Sequence, residues 1–292
     1  MTTFLQAVWG GLVTGSAYAI LALGFTLVFG VLRVLQFSHP NIFAAGAFAG
    51  YAIAIHVTTN LVAILLIAMA GMALAGLLVE RVVLRPLRDE YFLTPAIATI
   101  ATGIVIQNII IAISGPEPVF FPPVITPHTY SLAGIDVTLT QVVVLAAALA
   151  MMVALKWTID RTRAGRAVRA VAEKPEVAEI LGINTRVVAA GTMAAASALA
   201  AAAGVLIATL YGTLSPTIDT SFGFKGLVIM VVAGLGSITG AMFVGIALGV
   251  IETLASQYVS SSYRDVFPFA ILMIVLVLRP SGLFGRLDPQ KV

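Results

Sequence analysis

Residues 4–30 read FLQAVWGGLVTGSAYAILALGFTLVFG and contain no Asp, Glu, Lys or Arg. An α-helix needs about 20 apolar residues to cross a hydrocarbon core of about 30 Å, so this run is long enough to span a membrane. It is too long for the apolar core of a secretory signal, and no Lys or Arg occurs within the first 32 residues. We therefore predict a first membrane helix rather than a cleaved leader.

The same apolar character continues along the whole chain. Hydrophobic residues make up 60% of the 292 residues and charged residues 10%, compared with about 25% charged residues in soluble domains. Further spans are expected at about 41–57, 61–79, 94–114, 139–157 and 187–211, followed by a broken region at 224–257 and a last span near 262–279. The sequence predicts an all-α, polytopic transmembrane helix bundle of about eight or nine membrane segments, forming a single domain over residues 1–292.

Basic residues are concentrated in four stretches, which hold 14 of the 16 Lys and Arg. They are Arg33, then Arg81, Arg85 and Arg88, then Lys156, Arg161, Arg163, Arg166, Arg169, Lys174 and Arg186, and finally Arg279, Arg286 and Lys291. Cytoplasmic loops collect Lys and Arg, whereas the proline-rich loop at 115–138 has none. We therefore expect an extracytoplasmic N-terminus, a cytoplasmic C-terminus and an odd number of crossings. The scattered net charge of +3 does not indicate nucleic-acid binding.

Small residues interrupt the apolar run that begins near residue 224. Gly234, Gly236, Ser237 and Gly240 follow only about eleven apolar residues, which predicts a half-helix followed by a full helix. Irregular backbone at membrane depth is tolerated only where protein or a water-filled cavity covers it, so we expect the break to line the interior. The alternative is eight simple helices with the C-terminal tail outside.

The longest polar segment, about 158–186, is predicted to be a cytoplasmic loop with a short helix. Pro175 suits a first helical position and Gly182 the position after the last turn, which leaves a helix of about seven residues. Val177, Ile180 and Leu181 follow the i, i+3, i+4 spacing of one helix face. This apolar stripe fits the groove of a partner protein. The alternative is that it rests on the bundle itself or on lipid headgroups.

Two groups of polar residues are expected at membrane depth, where polar side chains usually face the protein interior. Ser38, His39 and Asn41 lie around a proline at the mouth of the second span, and Gln107 and Asn108 lie deep in the fourth. For each group, a place on a transport pathway and a structural, hydrogen-bonded role stay open. Glu252 is expected to be solvated at an interface, and we expect almost no ionisable residue in the middle of the spans.

The sequence gives little support for enzymatic chemistry. It contains no GxxxxGK[ST] phosphate loop, no HExxH motif and no Cys. The three His are far apart in sequence, and no nucleophile has an evident neighbouring base. We therefore expect no catalytic residue, no metal site and no cofactor in this chain. A membrane-embedded enzyme is a remote alternative.

Several segments, in order, resemble the permeases of the branched-chain amino acid group of binding-protein-dependent ABC importers, a group that also includes urea and amide permeases. The segments are Gly11–His39, Val79–Arg88, Ile97–Asn108, Thr162–Asn184, Phe222–Leu254 and Ser261–Gly285. The resemblance implies a bacterial inner-membrane permease that pairs with a second, homologous permease, two cytoplasmic ATP-binding subunits and an extracytoplasmic solute-binding protein. ATP and Mg would be bound by the partner ATPases.

The resemblance also implies roles for individual residues. It places Glu173, Pro175, Val177, Ile180, Leu181 and Gly182 in the segment that contacts the ATPase. Members typically have Gly and an acidic residue after the position of His39, whereas this chain has Pro40 and Asn41. The exact solute, a branched-chain amino acid, urea, an amide or another small molecule, therefore stays open. A passive channel or a secondary transporter is a remote alternative, because it would need a filter or ionisable residues in mid-span.

Overall fold

The computed structural model describes residues 2–87, 91, 93–126, 128–132, 134–260 and 265–285. The helices are α1 Thr2–Leu32, α2 His39–His56, α3 Leu61–Val79, α4 Leu93–Ser114, α5 Leu139–Arg161, α6 Arg163–Glu173, α7 Pro175–Ile180, α8 Thr185–Tyr211, α9 Ile218–Ala233, α10 Ile238–Tyr258 and α11 Val266–Leu278. A π-helical segment, Glu80–Leu84, continues α3. The predicted all-α membrane bundle is confirmed, and six of these helices are long and apolar enough to cross a membrane.

Helix α1 is the central element of the bundle. In an apolar stretch of 18 residues within α1, 83% of the residues are buried, compared with 22% in the corresponding stretches of α4 and α5. Helix α1 packs most extensively against α10 and then against α8. Gly15 of α1 meets Gly245 and Gly249 of α10, and a Cβ on Gly15 would lie 2.7 Å from the carbonyl of Ile246. Small residues permit this close approach, which favours helix association in lipid.

The proline-rich loop at 115–138 contains short strands. Strands β2 Thr129–Leu132 and β3 Ile135–Thr138 form an antiparallel hairpin, and β1 Val119–Phe120 pairs with β4 Thr213–Leu214. The side-chain amide of Gln6 and the backbone of Asp136 exchange hydrogen bonds of 2.8 and 2.9 Å. The hairpin is thus attached to the first turns of α1.

The opposite end of the bundle carries most of the basic residues, and we call it the basic end. It is formed by the last turns of α1 and α5 together with α6 and α7. The guanidinium of Arg33 donates to the carbonyls of Ala172 and Glu173, which attaches the end of α1 to the end of α6. Lys156 of α5 donates to Thr239 in the first turn of α10 at 3.2 Å.

The predicted half-helix and full helix are present as α9 and α10, and the break between them lies at the predicted Gly234 and Gly236, but it does not lie at membrane depth as expected. Gly234 and Gly236, with φ of +102° and +82°, form a turn at the basic end, beside Gly30 of α1. Gly234 is buried, whereas Leu235 and Gly236 are exposed, so the turn lies at the surface of the basic end. Two glycines that accept positive φ allow a tight reversal, and a reversal needs no cavity at membrane depth.

Gly240 was also predicted to belong to the break, and it does not. Ser237 is the N-cap of α10, and its hydroxyl accepts a hydrogen bond of 3.2 Å from the backbone N–H of Gly240. Gly240 therefore lies in the first turn of α10. The last predicted span is shorter than expected, because α11 begins at Val266 and has 13 residues.

Candidate translocation and coupling site

The short cytoplasmic helix predicted from sequence is α7, which has six residues. Pro175 is its first residue, and Gly182, with φ of +82°, follows its last turn. The N–H groups of Gly182 and Ile183 donate to the carbonyls of Glu179 and Ala178, both at 2.9 Å. These bonds satisfy carbonyls that the end of a helix leaves unpaired.

The apolar stripe of α7 points away from the rest of the chain. Ile180 is 83% exposed, Leu181 74% and Val177 46%, whereas Ala178 on the opposite face is buried. The stripe therefore does not rest on the described part of the bundle, which was one of the alternatives. An exposed cluster of three large apolar side chains marks an interaction surface.

Helices α6 and α7 are held firmly by the neighbouring helices. Val31 of α1, Val171 of α6 and Ala178 of α7 form a separate small core at the basic end. Thr185, the first residue of α8, donates a hydrogen bond to the carboxylate of Glu179. Glu173, predicted to belong to the coupling segment, accepts from Arg33 through its carbonyl. Helix α7 is thus connected directly to α8 and, through α6, to α1.

The first predicted polar group lies at the start of α2, inside the bundle. Ser38 and His39 are fully buried and Asn41 is 8% exposed. The ring of His39 contacts the ring of Phe25 at a centroid distance of 4.5 Å and lies against Gly24, eight residues before the end of α1. At 1.5 Å per residue, α2 therefore begins about 12 Å inside the bundle.

Hydrogen bonds connect this start of α2 to its surroundings. The amide of Gln36 donates to the hydroxyl of Ser38 at 3.3 Å, and the backbone N–H of Phe37 donates to Thr99 of α4 at 3.1 Å. The side chain of Asn41 lies directly against Gly103 of α4. Within the described part of the chain, neither ring nitrogen of His39 has a hydrogen bond of ordinary geometry. The structure thus brings Ser38, His39 and Asn41 together, between α1 and α4.

The second predicted polar group lies farther along α4. Asn108 is exposed, and its amide donates to the carbonyl of Ile104 in its own helix at 2.8 Å. Gln107 is half-buried. Asn108 and the buried residues at the start of α2 do not form one cluster, although Gly103 on the same helix contacts Asn41. An exposed amide on an apolar helix is costly in lipid.

Sequence reasoning missed a charged group in the middle of the bundle. Lys225 of α9 lies 2.8 Å from Glu252 of α10 and 2.9 Å from Asp265, the N-cap of α11. The hydroxyl of Tyr18, near the middle of α1, donates to Glu252 at 3.2 Å. The side chains of Lys225 and Glu252 are 5% and 1% exposed. The expectations that Glu252 is solvated and that mid-span charges are almost absent were both wrong.

A signal for this group was present in the sequence. Lys225 stands alone between apolar residues of a predicted span, and Glu252 follows on the next helix. Lipid does not solvate either charge, so each requires a partner inside the protein. The two rings of Tyr18 and Phe222 also lie within 5.4 and 5.6 Å of the Lys225 ammonium, which stabilises a cation at this depth.

Comparison with known proteins decides the family. Residues 7–276 match the family model described as branched-chain amino acid transport system / permease component. The chain belongs to this permease family. It is 35% identical to the high-affinity branched-chain amino acid transport system permease protein LivH of Escherichia coli K12, over 99% of this chain and 98% of that protein.

Two further relatives extend the comparison of this permease. The high-affinity permease protein BraD of Pseudomonas aeruginosa is 33% identical over 99% of this chain and 98% of its own length. The probable branched-chain amino acid transport permease protein LivH of Methanocaldococcus jannaschii is 25% identical over 94% of this chain and 91% of its own. No solved structure matches the chain significantly. The predicted permease subunit of an ABC importer, a multi-pass protein of the inner membrane, is confirmed.

Proposed function

We propose that this permease moves branched-chain amino acids across the membrane together with a second, similar permease subunit. Two cytoplasmic ATP-binding subunits drive the transport, and an extracytoplasmic solute-binding protein delivers the amino acid. The names of LivH and BraD support this solute, and this chain aligns with nearly the whole length of both proteins. This subunit is non-catalytic, and ATP and Mg are bound by the partner ATPases. The whole chain acts as one permease domain, with the coupling loop at about 158–186.

The exposed stripe of α7 carries the coupling part of the proposal. Val177, Ile180 and Leu181 offer an apolar surface to the groove of an ATPase. Glu173 and Pro175 hold the start of α7, and Gly182 ends it. ATP binding in the ATPases would favour one arrangement of α7, and the contacts of α7 with α8 and of α6 with α1 would pass that preference to the pathway.

The polar residues of α2 and α4 carry the pathway part of the proposal. Ser38, His39 and Asn41 lie where α2 begins inside the bundle. Gln107 and Asn108 lie farther along α4, about one turn beyond the Gly103 that contacts Asn41. The exposed amide of Asn108 is best accommodated against a second permease subunit or a water-filled route between the two. Asn41 replaces the acidic residue typical of the family, and this difference keeps urea or an amide as the second candidate solute.

Substitution of the α7 stripe tests the coupling. Ile180→Asp and Leu181→Asp place carboxylates in the proposed apolar contact, so we expect loss of co-purification with the ATPases and loss of uptake. Ala164→Asp on the exposed face of α6 is the matched control, because it adds the same charge at the basic end outside the stripe. Unchanged assembly and unchanged uptake in both α7 variants would refute the coupling proposal.

The proposed orientation places Thr2 outside and the basic end in the cytoplasm. The sequence has no Cys, so single cysteines report sidedness directly. In intact cells, a membrane-impermeant maleimide should label Thr3→Cys and should label Ala164→Cys only after the cells are opened. The reverse pattern would overturn the orientation. Reconstituted complexes supplied with leucine, urea or acetamide then decide between the candidate solutes.

A further inference from the structure

A cavity of about 540 Å³ lies at the basic end, between the last turn of α1, the π-helical segment, the first turn of α4, α7 and the start of α8. Six charged residues line it: Arg33, Glu80, Arg85, Glu176, Glu179 and Arg186. The cavity is therefore a polar recess at the basic end. It is wide enough for a small organic solute.

The charges around this cavity are balanced. Three are guanidinium groups and three are carboxylates, and they come from four different segments of the chain. A surface of one sign would favour an ion of the other sign, whereas a neutral solute such as urea needs no charges. A zwitterionic solute matches a balanced set, because its carboxylate can accept from guanidinium groups while its ammonium donates to carboxylates.

The π-helical segment builds one wall of the cavity. In an α-helix, residues i and i+5 are about 140° apart around the axis and face different sides. Here the backbone N–H of Arg85 bonds the carbonyl of Glu80 at 2.7 Å, and the wider turn brings the two side chains together at 3.4 Å. The side chain of Glu80 is 5% exposed, so its charge is kept at the cavity wall by Arg85. Such π-helical turns are frequent at functional sites.

Helix α7 forms the opposite wall. Pro175, Glu176 and Glu179 face the cavity, while Ile180 and Leu181 belong to the exposed apolar stripe on the adjoining face. Glu176 and Arg186 are exposed and make no ion pair with the described residues. Two charges of opposite sign therefore remain available on this side of the cavity.

We propose that this cavity binds the zwitterionic α-amino acid on the cytoplasmic side, at the point where the solute leaves the permease. The inference rests on the proposed function, and it names the charged groups that would hold the solute. The α-carboxylate would accept from Arg186 and Arg85, and the α-ammonium would donate to Glu176 and Glu80. The apolar side chain would lie near Val34 and Ala189, which also line the cavity.

Protection of an introduced cysteine tests the site in the complete transporter. Inside-out membrane vesicles holding the assembled complex with Val34→Cys are treated with a methanethiosulfonate reagent, with and without leucine. At ten times its Kd, leucine should slow labelling about tenfold, because it leaves about one cavity in eleven empty. Ala164→Cys, outside the cavity on α6, should label at an unchanged rate and serves as the matched control.

Leucine analogues separate zwitterion recognition from simple filling of the space. Leucinamide lacks the carboxylate and 4-methylpentanoate lacks the ammonium, so neither should protect Val34→Cys at the concentration at which leucine does. The Glu176→Gln, Arg186→Gln variant changes two exposed side chains that have no structural ion pair, and it should need at least about tenfold more leucine for the same protection.

Three results would overturn the inference. The first is that leucine does not protect Val34→Cys in a complex that takes up leucine, and the second is that the two analogues protect it equally well. The third is that Val34→Cys stays unlabelled in the complex without leucine, because a partner subunit then fills the cavity. Failure of the proposed function is seen separately, as absence of ATP-driven leucine uptake by the unmodified complex. The protection assay uses no ATP and is judged on its own.

Discussion

The ammonium of Lys225 lies 2.8 Å from the carboxylate of Glu252, and both side chains are enclosed in the middle of an otherwise apolar bundle. The pair joins α9 to α10, and Asp265 extends it to α11. Two charges transferred together from water lose much of their solvation, and their attraction and additional hydrogen bonds offset that loss only while both are present. The pair therefore sets the relative positions of the last three helices.

Removal of one member of the pair should destabilise the permease. Lys225→Met leaves Glu252 buried without its cation, and we expect a loss of about 3 kcal/mol, measured as a lower midpoint of thermal unfolding in detergent. Lys156→Met is the control, because the Lys156–Asp160 pair is about half exposed on both sides and should contribute little. The double variant Lys225→Met, Glu252→Met should recover part of the loss. A Lys225→Met protein as stable as the unmodified one would contradict this account.

The close contact of α1 and α10 should not tolerate a larger residue. A Cβ on Gly249 would meet the backbone of Gly15 and lie 2.6 Å from the carbonyl of Gly11. Gly249→Leu should therefore separate the two helices and cost about 3 kcal/mol, measured by thermal unfolding and by the fraction of monodisperse protein. Gly71→Leu is the matched control, since nothing lies within 4 Å of its Cβ position. Equal behaviour of the two variants would be inconsistent with the packing described.

The end of α7 should depend on glycine at position 182. The φ of +82° at Gly182 costs an L-amino acid about 1–2 kcal/mol. Gly182→Ala should therefore loosen α7, measured as faster amide hydrogen exchange at Gly182 and Ile183, whose N–H groups close its last turn. Gly191→Ala, in the interior of α8 with open space around it, is the control and should leave exchange at these two amides unchanged. Unaltered exchange in Gly182→Ala would argue against this description of the turn.

The exposed amide of Asn108 should matter for transport more than for folding. Its hydrogen bond goes to the carbonyl of Ile104 in its own helix, so Asn108→Leu should leave the stability of the subunit nearly unchanged. If Asn108 lines the pathway or the contact with a second permease, uptake or assembly should fall about fivefold, as expected for the loss of one hydrogen bond of about 1 kcal/mol. Val105→Leu on the same exposed side is the control. Normal uptake and assembly with Leu at 108 would remove Asn108 from the proposed pathway.

Much of this permease is evident in the sequence alone, because lipid imposes strong local rules. Every backbone N–H and C=O group within the membrane must have a hydrogen-bond partner. Long apolar runs such as residues 4–30 therefore form helices whatever their position in the bundle. Local chemistry also predicted α7, since Pro175 begins it and Gly182 ends it. The family, too, is recognisable from ordered segments such as Thr162–Asn184. These features depend on neighbours in sequence and need no knowledge of distant contacts.

Tertiary structure decided the features that depend on residues far apart in the chain. Lys225 and Glu252 are 27 positions apart, and only the packing of α9 against α10 pairs them. The same packing placed the turn at Gly234 at the basic end, and the charged cavity exists because α1, α4, α7 and α8 meet there. Hydropathy indicates only whether a segment can lie in lipid. The partner of a buried charge depends on how the helices pack, and that packing is determined jointly by side chains from many positions in the sequence.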